Sequence, residues 1–175
     1  MGAEIYENTL TMTEPDKGVG IFDQRGGKAL IYNNNVITTG SASQKCREEY
    51  LDEGKPPAFG PDGQPQHVSN SYYWMNLKNG TILVSTYISQ TVDYGGILGP
   101  VPQENREFWD EKMAFDGTRG MGVGLSSDQP TSGFKGVAYW ATDKKILFRC
   151  VSDSTWKEFY TPYAYPHPLR SQILN

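Results

Sequence analysis

The sequence is poor in the residues that build most enzyme centres. It holds two histidines, His67 and His167, and two cysteines, Cys46 and Cys150, in 175 residues. That inventory argues against a histidine-rich metal site and against a His-based triad. Two cysteines without C-x-x-C spacing do not form a zinc site. They read either as two independent thiols or as one disulfide tying the middle of the chain to its C-terminal region, the second option fitting a secreted protein. No run of Lys and Arg is present and the net charge is −4, which disfavours a nucleic-acid partner. No apolar run approaches the length of a membrane span. The opening residues MGAEIYENT lack the basic and apolar regions of a signal peptide. GMGVGL (120–125) lacks the spacing of a dinucleotide fingerprint, and its glycines read as aids to tight turning. No EF-hand or RTX-type repeat is visible. No metal or cofactor is therefore expected, although loop carboxylates and carbonyls would suit Ca²⁺.

What is present is a repeat. Residues 4–13 read EIYENTLTMT and residues 30–39 read LIYNNNVITT. In register, Ile5 matches Ile31, Tyr6 matches Tyr32, Asn8 matches Asn34, Leu10 matches Val36 and Thr13 matches Thr39. A weaker third copy places Tyr73, Trp74 and Asn76 in the Ile, Tyr and Asn positions. Self-similarity at such a period is the signature of a solenoid, whose units bury their apolar faces only against neighbours. Nineteen glycines, eleven prolines and eleven tyrosines favour short strands and turns. Apolar residues three and four apart, the mark of a helical repeat, are missing. Each unit has the size of one turn of a parallel β-helix. Asn8, Asn34 and Asn76 then gain a structural role, with amides stacked at one bend of successive coils and bonded along the stack.

Along the chain, residues 1–39 read as two coils. GSASQKCREEYLDEGKPPAFGPDGQPQ (40–66) reads as an excursion with one short helical turn around Gln44–Leu51. TILVSTYI (81–88) is the most β-prone run. Asn79-Gly80-Thr81 fits a glycosylation sequon but is first of all a turn signal. Residues 90–120 read as a loop-rich insertion. GVAYWATD, KKILFRCV and STWKEFYTPY read as antiparallel strands, the first two joined by a turn at Asp143-Lys144. Trp140, Phe148 and Trp156 would cover the open end of the stack, whose unpaired backbone groups invite aggregation. The proline-bearing tail YPHPLRSQILN, which holds His167, reads as extended. Because a repeat starts almost at once, the chain reads as cut inside a longer solenoid.

ENREFWDE (104–111), FDGTRGMGVG (115–124), GVAYWATD (136–143), LFRCVSDSTW (147–156) and YTPYAYPHPL (160–169) resemble the C-terminal region of bacterial right-handed parallel β-helix proteins of the pectate-lyase-like superfamily, mostly of unassigned function; RGGKALIYNN (25–34) resembles their coil sequence. The resemblance spans most of the chain, which is shorter than those proteins usually are. The expected fold is all-β: a short right-handed parallel β-helix (solenoid) with long side loops and a C-terminal antiparallel β cap. Coils would occupy residues 1–135, with insertions at 40–66 and 90–120. A capping hairpin and tail would occupy 136–175 of the same domain. The resemblance implies an extracellular or periplasmic protein that binds or processes polysaccharide.

No catalytic motif is specific. Asp23, Arg25 and Lys28 at a coil exit are the residues a lyase would use as base and charge-neutralising cation, and equally a solvated turn with a local ion pair. A glycosidase would need two carboxylates roughly 5–10 Å apart, which stacked coils about 4.8 Å apart allow. Glu104, Arg106, Glu107, Asp110 and Glu111 read as a solvated face or loop anchor. Tyr73, Trp74, Tyr94 and Trp109, with Tyr72 and Phe108 nearby, are the candidates for stacking on sugar rings, although large aromatics more often fill cores. Two functions remain open: polysaccharide association without catalysis in this chain, or a non-catalytic capping and assembly module that forms homo-oligomers through its open N-terminal coil.

Overall fold

The computed structural model describes residues 2–13, 19–40, 42–48, 67–90 and 101–163. The chain lays down strands in successive passes. The first pass contributes β1 (Ala3–Tyr6), β2 (Thr9–Met12) and β3 (Val19–Arg25), and the second β4 (Ala29–Tyr32), β5 (Asn35–Thr38) and β6 (Ala42–Glu48). The third contributes β7 (Ser71–Trp74), β8 (Leu77–Lys78), β9 (Thr81–Ile82) and β10 (Ser85–Gln90), and β11 (Phe108–Asp110) follows. Equivalent strands pair in parallel and build three sheets, in the orders β1-β4-β7-β11, β2-β5-β8-β9 and β10-β6-β3. The sequence repeat is the sheet register: Ile5 lies beside Ile31, Tyr6 beside Tyr32, Ile31 beside Tyr73 and Tyr32 beside Trp74.

Strand parity assigns each side chain to a face, because successive side chains point to opposite sides. Ile31, Tyr73 and Phe108 point to one face of the first sheet, where they form one core with Phe22, Val36, Cys46 and Leu83. Tyr32, Tyr72, Trp74 and Trp109 point the other way and join a second core with Met121, Val137, Trp140 and Leu147. The first sheet is thus buried on both faces, and for that reason Ser-Tyr-Tyr-Trp of β7 is buried throughout.

The partner of that outer face is a separate mixed sheet. Its strands β12 (Met121–Gly124), β13 (Ala138–Ala141), β14 (Ile146–Ser152) and β15 (Thr155–Tyr160) run in that order. β12 and β13 are parallel; β13–β14 and β14–β15 are antiparallel, as expected for the hairpin strands. This sheet corrects the expected cap. Trp140 packs against the flank of the stack, 5.6 Å from Tyr32 and 5.4 Å from Trp74 between ring centres. Trp156 and Phe148 are half-buried within the sheet's own surroundings, Trp156 beside Gly133 and Cys150, Phe148 under the Lys144 amine. The outward rings of the first sheet are the apolar surface that the C-terminal sheet buries.

Three further expectations change, and of the two readings left open for the cysteines the one without a disulfide holds. Residues 44–48 belong to β6 instead of a helical turn, because Gln44 and Cys46 alternate inward while β3 and β10 pair on either side; the rest of that turn, Glu49–Leu51, lies outside the described residues. TILVSTYI splits into β9 and β10: Asn79 and Gly80 have φ of 49° and 80°, forming the tight turn that folds β9 back on β8. Asn79 is the sequon residue, and its side chain is occupied by the Thr38 backbone through bonds of 3.0 and 2.6 Å. GMGVGL holds a strand: Gly120, with φ of 67°, keeps the turning role ahead of it, whereas Gly122 and Gly124 serve close packing. A Cβ on Gly122 would stand 2.3 Å from the Phe115 ring and one on Gly124 2.4 Å from the Tyr139 hydroxyl. No disulfide joins Cys46 and Cys150; each is buried in a different core.

Candidate functional site

The first two sheets meet at a sharp bend that recurs in three passes. Glu7, Asn33 and Met75 occupy it with φ of 56°, 52° and 53°. Non-glycine residues rarely adopt this conformation, and each asks for local compensation. The next residue supplies it. Asn8 Nδ2 donates to Asn34 Oδ1 at 2.9 Å, and Asn34 Nδ2 donates to Asn76 Oδ1 at 2.8 Å. The same amides donate to strand-end carbonyls: Asn8 to Tyr6, Asn34 to Tyr32 and Ile5, Asn76 to Ile31. Glu111 supports the third bend by accepting the Met75 N–H at 2.6 Å.

Beside the bend runs a ladder of rings. Tyr6 stacks on Tyr32 at 4.9 Å and 9°, and Tyr32 on Trp74 at 4.3 Å and 5°. The Tyr32 hydroxyl lies 3.2 Å from that of Tyr160, which donates to Glu4 Oε2 at 2.8 Å. Burial pushes Tyr32 up to about 12, and burial together with the bonds to Tyr32 and Glu4 raises Tyr160 further. Both phenols therefore stay protonated near neutral pH and act as hydrogen-bond partners.

Where the bend faces the C-terminal sheet, a groove of about 680 Å³ opens. Tyr6, Tyr32, Trp140 and Tyr163 supply its rings; Glu7, Asn33, Thr142, Lys144, Lys145 and Thr161 supply polar groups. Its size falls within the range of small-ligand sites, about 300–1,000 Å³. Among its described lining residues Glu7 is the one carboxylate.

The residues singled out in the sequence lie elsewhere. Tyr73, Trp74 and Trp109 are 1 %, 1 % and 3 % exposed, so none offers a face to a sugar. Tyr94 and His167 lie outside the described residues. Asp23 is exposed in β3, in register with Lys45 of β6. Lys28 is exposed ahead of β4, and its carbonyl accepts the Ala3 N–H. The side chain of Arg25 lies outside the described set. The second charged group divides: Glu104 pairs with Lys112 at 2.6 Å, Arg106 pairs with Glu107, and Asp110 is buried inside the coils. His67 is half-buried, and its carbonyl accepts the Gly27 N–H.

Sequence reasoning missed the groove's rings. Tyr6 and Tyr32 did match in the repeat, and strand parity would have sent them outward. Nothing in the sequence said that Trp140 and Tyr163 would stand opposite them. Among the described residues no cluster of three or more His, Cys, Asp or Glu is placed to hold a metal ion, and no helix is long and apolar enough to cross a membrane. No family model, curated protein or solved structure matches the chain.

Proposed function

We propose that this chain is a short right-handed parallel β-helix of the pectate-lyase-like kind that binds polysaccharide outside the cytoplasm and does not itself catalyse. The observation behind this reading is the groove at the bend. The accessible rings there, Tyr6 and Tyr163, stand beside amide, hydroxyl and ammonium groups, the mixture that grips a sugar by stacking and hydrogen bonding. Successive coils spaced about 4.8 Å apart would let neighbouring sugar units of an extended chain meet equivalent bend residues, Glu7, Asn33 and Met75. Among the described lining residues the Glu7 carboxylate and the Tyr32 phenol, which burial keeps protonated, add polar binding groups.

A glycan array followed by calorimetry tests the reading. Tyr163, 59 % exposed, is the ring to remove: Tyr163→Ala should weaken binding about tenfold, the loss of roughly 1.4 kcal/mol of stacking. Lys144→Ala should weaken it without altering the far-ultraviolet spectrum. A blank array, or unchanged affinity in both variants, would remove the groove from consideration.

A further inference from the structure

Where the edge of the C-terminal sheet meets the first sheet, two positive charges stand together without a counter-charge. Arg149 of β14 and Lys157 of β15 are directly opposite each other in the antiparallel register. Residues so placed share a face, with Cβ atoms about 4.5–5.5 Å apart, and like charges there repel. Arg149 also faces Ala138, two residues before the Trp140 that packs on Tyr32 and Trp74, so this face is the one turned to the first sheet. Arg149 is half-buried, and its Nε is sealed from solvent without an acceptor. Among the described residues neither side chain joins an ion pair or a hydrogen bond.

The pair stands beside a ring and a crevice. Phe148 pairs with Glu158 and Leu147 with Tyr160, so Phe159 is the extra residue of a bulge, a device that re-aims a side chain. The Arg149 guanidinium lies 5.3 Å from the centre of its ring, which meets the Tyr72 ring edge-on at 5.7 Å. Phe159 remains 41 % exposed. The same ring lines a crevice of about 150 Å³, together with Leu30, Asn70 and a third cation, Lys28. Glu4 is the one carboxylate among the described lining residues, and the Tyr160 hydroxyl donates to it at 2.8 Å. The crevice takes Ala29 and Leu30 from the start of β4, whereas the groove takes Tyr32 from its end, so the two are separate.

We infer that this flank is a second ligand site, for a small organic acid: Arg149 and Lys157 hold its carboxylate, and its apolar body rests against Phe159 and Leu30 in the crevice. Three features select that chemistry. The Phe159 ring covers one face of the guanidinium and leaves its N–H edge, the fork that matches a carboxylate. An anion set between two facing cations removes a repulsion already present in the fold. The apolar wall made by Leu30 and Phe159 favours a ring or short alkyl body over a bare ion. The inference does not depend on sugar binding in the groove.

Calorimetry with benzoate tests it, against benzyl alcohol, which keeps the ring without the charge, and inorganic sulfate, which keeps charge without the ring. Benzoate should bind saturably, and each of the other two at least about tenfold more weakly. Arg149→Met and Lys157→Met keep the side-chain stem and remove the charge. Each should weaken benzoate by about tenfold or more without lowering the melting temperature, because each ends the repulsion; Lys157 is exposed, so its variant reads the site whatever the fate of the other. Tyr163→Ala, in the groove, should leave benzoate affinity unchanged. No binding of benzoate would overturn the inference. So would benzyl alcohol or sulfate binding as tightly, undiminished affinity in the charge variants, or a loss in Tyr163→Ala.

Discussion

Asp110 is the residue whose environment departs furthest from its sequence context. It sits among charged neighbours in ENREFWDEK, yet parity turns it into the coils, where it is 3 % exposed. Gln44 Nε2 and Ser85 Oγ donate to one carboxylate oxygen at 3.0 and 3.1 Å, and the Ser85 N–H donates to the other at 3.1 Å. Burial pushes the group up from 3.8 to about 6; the Ser85 bonds oppose the shift, the Glu104 charge adds to it and Lys112 counters it. The folded state therefore holds this proton more tightly than the unfolded state. The stability contributed by the neutral form is complete below about pH 4 and is lost as pH rises through about 6. The amount is about 3 kcal/mol. Urea titrations from pH 4 to pH 7 should show that decline in the native protein, and Asp110→Asn should flatten it. An unchanged slope in the variant would assign the effect elsewhere.

At the scale of elements, β12 shows how a strand can be chosen by its neighbours. Met-Gly-Val-Gly has weak strand preference, since glycine costs conformational entropy and offers nothing to pack. The missing side chains are what the site requires, because Phe115 and Tyr139 lie over Gly122. Gly122→Ala should destabilise the protein by about 1–3 kcal/mol through overpacking. Phe115→Ala, which empties the space, should recover part of that loss when combined with it. Chemical denaturation of the two single variants and the double variant measures the coupling; strict additivity would mean that the ring does not set the constraint.

At the scale of the whole molecule, the two cores share the first sheet. Tyr32, Tyr72, Trp74 and Trp109 are strand residues of the stack and core residues of the C-terminal sheet at once. The C-terminal sheet should therefore not unfold separately. Trp140 is 6 % exposed against Tyr32 and Trp74. Trp140→Ala should lower stability by about 3–5 kcal/mol, and the near- and far-ultraviolet transitions should remain coincident. Two separated transitions would show that the halves are independent.

The repeat in the sequence determined the strand register and the position of the amide ladder. Parallel in-register pairing sets equal positions side by side, so Ile5, Ile31 and Tyr73 share a column simply because they match. It also determined the Asn79-Gly80 turn, whose backbone few other dipeptides adopt. The sequence likewise showed three of the four strands of the C-terminal sheet. Where that sheet would lie was decided by tertiary structure alone. Aromatic side chains carry no label for core or surface. Tyr73, Trp74 and Trp109 became core because a sheet or a coil covers each of them, while Tyr6 and Tyr163 face the groove. That groove is formed by residues more than a hundred positions apart in the chain, and separation of that kind leaves no local pattern to read.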